Sequence, residues 1–453
     1  MRALSEILEK KNYTSSAVKK QNGTYYLLAE IIFIFLITLS ALGEWKKINA
    51  VAAGLPKALT VGVILMAFVF LVIAPDFKRA KELWGPAAMY MLLILMLLLW
   101  SIVIWVLKFS GFSSMLRGCS KMVFQSIAVL SAVAAVYLFG KKAALYFTVS
   151  LLLTNGLIML FEMPNYGVAE SIRSVITCIV TFGDASDYAR SLEIHDLTFV
   201  FGQLIIYYAA FYEGDGEKGR RNKWVCLILC TFAFLVGMKR IAVPAVVFFT
   251  LLALLLRNRK KLAGFFVAAG VLWIIFFLLF IYGVRNGYVT EICSRFGIDM
   301  MGRDYLWSLT NDYYSFSPLY MGRGFEFVDT VVKQWYNDGL IKKAYMFHND
   351  ILKVFVEMGF PGFMLWSGIQ YILYPVFFTK YAGQRAALLY FAELSYMTVT
   401  YLTDNTAFYF WSTLGLKLIV LCYAYSEREK RKPTAGKWRP PTKDEVIAAM
   451  GRY

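Results

Sequence analysis

Only two imidazoles occur in this chain of 453 residues, His195 and His348. His348 opens the stretch "HNDILKVFVEMGFPG" (348–362), where polar residues run directly into an apolar segment. Positions 348, 352, 355, 359 and 362 read His, Leu, Phe, Gly, Gly. At spacings of 4, 3, 4 and 3 they share one face of a helix. The two glycines would let a neighbouring helix approach closely. Asn349 or Asp350 can cap the helix by accepting from free backbone N–H groups. Lys353 and Glu357, one turn apart, can pair with each other or point into a wet cavity. A helix N-terminus carries partial positive charge, which favours anions over an imidazolium. A neutral imidazole with a free nitrogen suits a general base. The blander alternative is a histidine that only caps or hydrogen-bonds at an interface. His195, beside Asp196, reads as an interface anchor or as a partner to the first histidine.

Cations supply the second element of a site. "GMKRIAVPAV" places Lys239 and Arg240 in a tight turn between two apolar runs, and Pro244 is expected to unwind the start of the following helix. Residues 285–350 add Arg285, Arg295, Arg303 and Arg323 with Lys333, Lys342 and Lys343. Seven acids in the same segment cancel them, so it is no polybasic lipid patch. A guanidinium fork grips phosphate oxygens in pairs. Several arginines facing a histidine base therefore make a diphosphate site. "MGRGF" (321–325) has the look of a phosphate turn, although a short and ordinary one.

These residues must be positioned by membrane helices. The chain is 59% hydrophobic and 17% charged, against roughly half and a quarter in soluble domains. "PAAMYMLLILMLLLWSIVIWVL" (86–107) is uncharged and long enough to cross a bilayer core of about 30 Å. Twelve such spans can be read: 25–43, 56–75, 86–107, 122–139, 143–161, 196–213, 224–238, 241–256, 262–284, 355–378, 386–402 and 407–425. The fold expected is an all-α polytopic membrane protein, a single integral membrane domain over 1–453, with a large loop between spans 9 and 10. The net charge of +17 is explained by positive-inside topology and excludes no membrane protein; nucleic acid is not an expected partner. One set of short loops holds fifteen Lys and Arg, from Lys78 to Arg385, and the opposite set nine, including Lys46, Lys108, Arg173 and Lys239. That asymmetry puts both termini, with the basic tail 426–453, in the cytoplasm and the loop 285–350 outside. The polar leader of mixed charge leaves the first apolar run as an anchor. Six scattered cysteines give no disulfide framework, and Cys226 and Cys230, on one helix face, read as core packing.

Two outward segments exceed simple connectors. Residues 162–195 are apolar enough to lie against the membrane. Residues 285–350 are too aromatic for disorder, so the loop is expected to fold and to carry the chemistry. Outside the membrane a transferase has no nucleotide-activated donor and needs one delivered by the lipid. A glycan on a lipid diphosphate fits. Cations would neutralise the departing diphosphate while a base takes the proton of the attacking hydroxyl.

At these residues the sequence resembles the O-antigen ligase and polymerase family. "HNDILKVFVEMGFPG" is similar to its His-Asn…Leu…Glu-x-Gly-x-x-Gly signature. "GRDYLW" followed by "SPLYMGRGF" resembles its Arg-x-x-x-Trp and Pro-Leu-x-x-Gly-x-Gly stretch, with Arg303, Trp307, Pro318, Gly322 and Gly324 in the matching places. "GMKRIAVPAV" is similar to its Ser-Arg turn, with Lys239 where a small or polar residue is usual. The resemblance implies a metal-independent, inverting glycosyltransferase with a type C-like architecture and no cofactor, in a bacterial inner membrane. It implies a polyprenyl-diphosphate-linked oligosaccharide as substrate, with a chain-length regulator and a flippase as pathway partners. His348 would activate the acceptor. Arg240 and Arg303 would hold the diphosphate, with Lys239, Arg285 and Arg323 as further cations. Asn349, Glu357, Trp307 and Arg173 would support the site. The expected role is a polysaccharide polymerase working on lipid-linked repeat units of a capsule or other surface glycan. A ligase and a transporter of the same lipid-linked glycan are the alternatives. The transporter would need ionisable groups at mid-membrane, for which Glu30, Lys57, Gln125 and Glu393 are candidates.

Overall fold

A computed structural model describes residues 25–431 except 53–54, 109–111, 182–186, 193, 215, 238 and 343–346. The leader, most of the basic tail, the His195 side chain and Lys343 lie outside the described residues. The described residues are helical and contain no strand. Apolar runs in a bilayer have no water to satisfy their N–H and C=O groups, and helices alone satisfy them within one segment.

Helix covers each of the twelve apolar runs. By length and composition, five helical stretches suffice to cross a membrane: Tyr25–Leu42, Pro56–Ile73, Phe77–Leu107, Phe112–Tyr166 and Ala263–Arg285. The turn Gly140–Lys142 divides the fourth in two. Asp196–Phe211 and Ala242–Leu256 are shorter apolar helices. This is the composition a polytopic membrane protein requires.

Helix ends depart from the hydropathy reading where charged turns continue a helix past its apolar part. Phe77–Leu107 starts nine residues before the apolar run, through "FKRAKELWG". Asp76 caps it by accepting from the Arg79 N–H at 2.9 Å. Phe112–Phe139 likewise includes ten residues read as loop, and so carries Lys121 toward the segment 285–350. Pro244 does not unwind its helix. It sits in the first turn of Ala242–Leu256, where a missing N–H breaks no helical bond.

Phe410–Arg431 lies at the centre of the bundle, against Phe112–Phe139, His195–Ile206, Gln384–Tyr401 and Ala143–Tyr166. Segment 162–195 is largely helical. Val168–Thr181 buries Ser171, Ser174, Val175 and Cys178 and leaves Val168, Ile172, Ile176 and Val180 exposed as a stripe at helical spacing. Segment 285–350 forms three short helices, Tyr288–Arg295, Arg303–Ser308 and Phe327–Asn337.

The helix after His348 runs from Asp350 to Gly368 and continues through a π-turn, Ile369–Leu373, into Tyr374–Tyr381. It is broken at Gly359, which has φ 66° and ψ −176°. That backbone is open only to glycine. Gly359 does not receive a helix, as its spacing suggested. A Cβ there would lie 2.2 Å from the Met321 carbonyl carbon. Gly362 does admit one, since its Cβ position is 2.7 Å from the indole of Trp100 in Phe77–Leu107.

Candidate active site

His348 precedes its helix instead of lying on it. Its φ is 53°, a left-handed conformation uncommon outside glycine but less so for histidine. Asn349 is the cap, accepting from the Leu352 N–H at 2.9 Å. The Trp307 indole donates to the Phe347 carbonyl at 3.2 Å, so the Arg303–Ser308 helix fixes the backbone one residue before the histidine. Non-glycine residues in such conformations persist only where neighbours over-determine them, and here a cap and an indole do so from either side.

The His348 side chain lines a cavity of about 560 Å³ together with Arg303, Lys342, Tyr305 and Leu306. Arg303 is the first residue of its helix, set by Gly302 at φ 76°. It is half-buried, and among the described residues its guanidinium has no ion pair or side-chain hydrogen bond. A cation whose donors are unused beside a histidine can receive an anionic ligand without first breaking a contact.

Behind the ring stands Asp404, in the turn "YLTDNTAFYF" (401–410) between the last two helices. Its Oδ1 is 3.6 Å from His348 Nδ1, and its Oδ2 is 3.9 Å from Lys239 Nζ. The Tyr409 hydroxyl donates to it at 3.1 Å and the Asn405 N–H at 2.9 Å. Burial alone would raise this carboxyl, but His348, the Lys239 charge and the Asn405 amide outweigh it and hold it at about 2. The same turn is tied to the histidine's helix, since the Ala407 N–H donates to Asp350 Oδ2 at 2.7 Å. Sequence reasoning missed Asp404 and did not put Lys342 in the site. An acid alone in a short turn between two apolar runs, directly before Asn, was the available signal.

The remaining cations are placed apart from this cavity. The Arg285 guanidinium donates to the Asn311 and Tyr314 carbonyls and lies over the Tyr314 ring. Arg323 Nε donates to the Tyr313 carbonyl at 2.8 Å. Both arginines hold the segment 285–350 together. Arg240 is exposed and borders a small pocket with Lys239, Cys178 and Ile179. Arg173 is exposed on Val168–Thr181.

Glu357 and Lys353 do not pair as their spacing suggested. Glu357 Oε1 accepts from the Val328 N–H at 3.0 Å, at the start of Phe327–Asn337, where it satisfies one of the N–H groups that a helix's first turn leaves free. Lys353 reaches Asp329 at 2.5 Å and Glu326 at 3.4 Å, and Lys121 joins the same two acids. Burial would raise the Asp329 carboxyl, but the two lysines outweigh it and hold it well below the usual carboxylate range.

The "GRGF" stretch is a strap, not a phosphate turn. The Arg323 and Gly324 N–H groups donate to the Glu357 carbonyl at 3.0 and 2.7 Å, and the Phe360 N–H donates to the Tyr320 carbonyl at 2.7 Å. The Trp100 indole donates to the Met358 carbonyl at 2.8 Å. These bonds satisfy the groups that the break at Gly359 releases. A Cβ on Gly322 would meet the Glu357 carbonyl oxygen at 2.4 Å.

Of the candidates for a transport role, Lys57 pairs with Glu44 at 3.0 Å, Glu30 lies 3.8 Å from the exposed Lys142, and Gln125 bonds the Phe408 carbonyl and Thr413. Glu393 is fully buried, and among the described residues neither of its oxygens has a hydrogen-bond partner.

No curated protein matches the chain. Residues 225–367, from the helix before the Lys239 turn to the end of the helix after His348, match the model of the O-antigen ligase family.

Proposed function

We propose that the protein is a polysaccharide polymerase acting at the outer face of a bacterial inner membrane. It transfers a glycan from polyprenyl diphosphate to a hydroxyl of another lipid-linked repeat unit. The observation that carries this reading is that His348 and an unengaged Arg303 face one cavity of about 560 Å³. In the proposed reaction His348 takes the proton of the acceptor hydroxyl through its ring nitrogen on the cavity side. The hydroxyl oxygen bonds to the anomeric carbon as the carbon–oxygen bond to the diphosphate breaks on the opposite face, which inverts the configuration. Arg303 and Lys342 take up the charge that develops on the departing diphosphate. Asp404 stabilises the imidazolium from behind, and Lys239 holds Asp404 ionised. Catalytic hydrogen bonds are often long before substrate binds, so the His348–Asp404 contact is expected to shorten on binding. No step calls for a metal.

The family match supports O-antigen ligase- or polymerase-type chemistry, and the second reading is a ligase that transfers the finished chain to a final acceptor such as a lipid A core. Both share the donor half of the site. The test uses purified protein in detergent with a defined polyprenyl-diphosphate oligosaccharide and no added metal, resolving lipid-linked products by gel. A ladder of lengthened chains, lost in His348→Ala, is expected. Product only after a separate acceptor is added would make the protein a ligase, and no transfer to either acceptor would sink the glycosyltransferase reading.

A further inference from the structure

Lys417 lies in the middle of the central helix, Phe410–Arg431, and is 5% exposed. Among the described residues no carboxylate lies within ion-pair distance of it. Its ammonium sits over three rings, 4.5 Å from the Tyr90 centroid, 4.8 Å from Tyr374 and 5.5 Å from Tyr390. Ring faces attract a cation and stabilise the ammonium form. They accept none of its hydrogens in the manner of an oxygen, and they bring no compensating charge.

Lys417 also lines a cavity of about 50 Å³. Its polar lining also includes Tyr90, Gln125, Gln370, Tyr401, Ser412 and Thr413, and no carboxylate lines it. Among the described residues, the buried hydroxyls of Tyr90 and Ser412 have no hydrogen-bond partner. Gln125 is engaged, donating to the Phe408 carbonyl and accepting from Thr413. Around this space one ammonium and two hydroxyls, two of the groups from Phe410–Arg431 and one from Phe77–Leu107, each have a hydrogen to donate. Buried polar groups without partners are rare, and each calls for an occupant. A buried cation without a counter-charge is more costly still. Water would satisfy the hydroxyls but would leave the charge uncompensated. The volume admits a monatomic ion or a few waters and excludes a phosphate or a sugar.

We propose that this cavity binds one halide-sized monovalent anion, held by Lys417 Nζ with the hydroxyls of Tyr90 and Ser412, while the three tyrosine rings pack against the ammonium. The site is separate from the His348 cavity, and its existence does not depend on the reaction assigned there. A ligand that binds only the folded state raises stability with its concentration. Full-length protein in detergent is therefore melted at constant ionic strength while sodium gluconate is replaced stepwise by sodium chloride or sodium bromide. Wild type is expected to show a saturable rise in Tm of several degrees with either halide and none with phosphate. Lys417→Met, which replaces the ammonium by an apolar chain of similar length, is expected to abolish the rise. Ser412→Ala is expected to shift its midpoint severalfold to higher halide, and it carries the test if Lys417→Met does not fold. A wild-type Tm indifferent to halide overturns the proposal, as does the same halide response in both variants, which would place the effect at the surface.

Discussion

Two regions carry the family's short motifs, and they are built in opposite ways. Around His348 the motif residues face open space: among the described residues the Arg303 guanidinium has no ion pair or side-chain hydrogen bond, and Asp404 stands 3.6 Å behind the histidine. At Gly322–Gly324 and Gly359 the motif residues are closed on one another by backbone hydrogen bonds, with no room for a Cβ. Motif membership alone does not separate residues that meet a substrate from residues that build the wall. Spare hydrogen-bonding capacity does, and by that measure Arg303 belongs with the first group and Arg285 and Arg323 with the second.

This contrast breaks most sharply under His348→Ala. Loss of a general base costs about 100- to 10,000-fold in rate, so transfer is expected to fall at least that far while Tm and membrane extraction stay as in wild type. Normal transfer from this variant would remove the histidine from the mechanism. Next comes Arg303→Ala, expected to lower transfer by about 100-fold. Arg303→Lys should recover only part, because a lysine keeps the charge and loses the fork. Arg285→Lys is the control: if it hurts transfer as much as Arg303→Lys at unchanged Tm, the assignment of the two arginines is reversed.

Gly322→Val tests the closed region. Its Cβ would meet the Glu357 carbonyl at 2.4 Å at a φ of 95°. A cost of about 3 kcal/mol is expected, read as a lower Tm with activity falling only as far as the folded fraction falls. The smallest effect is expected from pH. The Asp404 carboxyl is held at about 2 in the folded protein, below its value of about 3.9 in an unfolded chain. Its contribution to stability is therefore complete above about pH 4 and is lost as pH falls toward about 2. Asp404→Asn should flatten the Tm profile in that window by a few degrees, and an unchanged profile would show that Asp404 is not held by His348 and Lys239.

The positions of the helices were legible because a run of apolar residues in a bilayer has one way to satisfy its backbone. Their ends were less so, since the charged first turns of Phe77–Leu107 and Phe112–Phe139 are helical without being apolar. His348, Arg303 and Trp307 could be read because they lie within one stretch with recognisable spacing. Asp404 could not, because 56 positions separate it from the histidine it faces. The same blindness to distance explains Lys353. Helical spacing offers it Glu357, whereas the fold gives it Asp329 and Glu326 from the preceding segment. Local rules see partners one turn away and miss partners that a loop delivers.

The break at Gly359 sets the boundaries of any exchangeable part. The carbonyls of Val356, Glu357 and Met358 find their donors in Tyr320, Arg323, Gly324 and Trp100 and not in the next turn of their own helix. The segment 285–350 is thus woven into the helix that follows it and is no detachable cassette. A chimera meant to transplant substrate preference must carry the chain without interruption from before Pro318 to beyond Pro361, together with a tryptophan at position 100 to receive it.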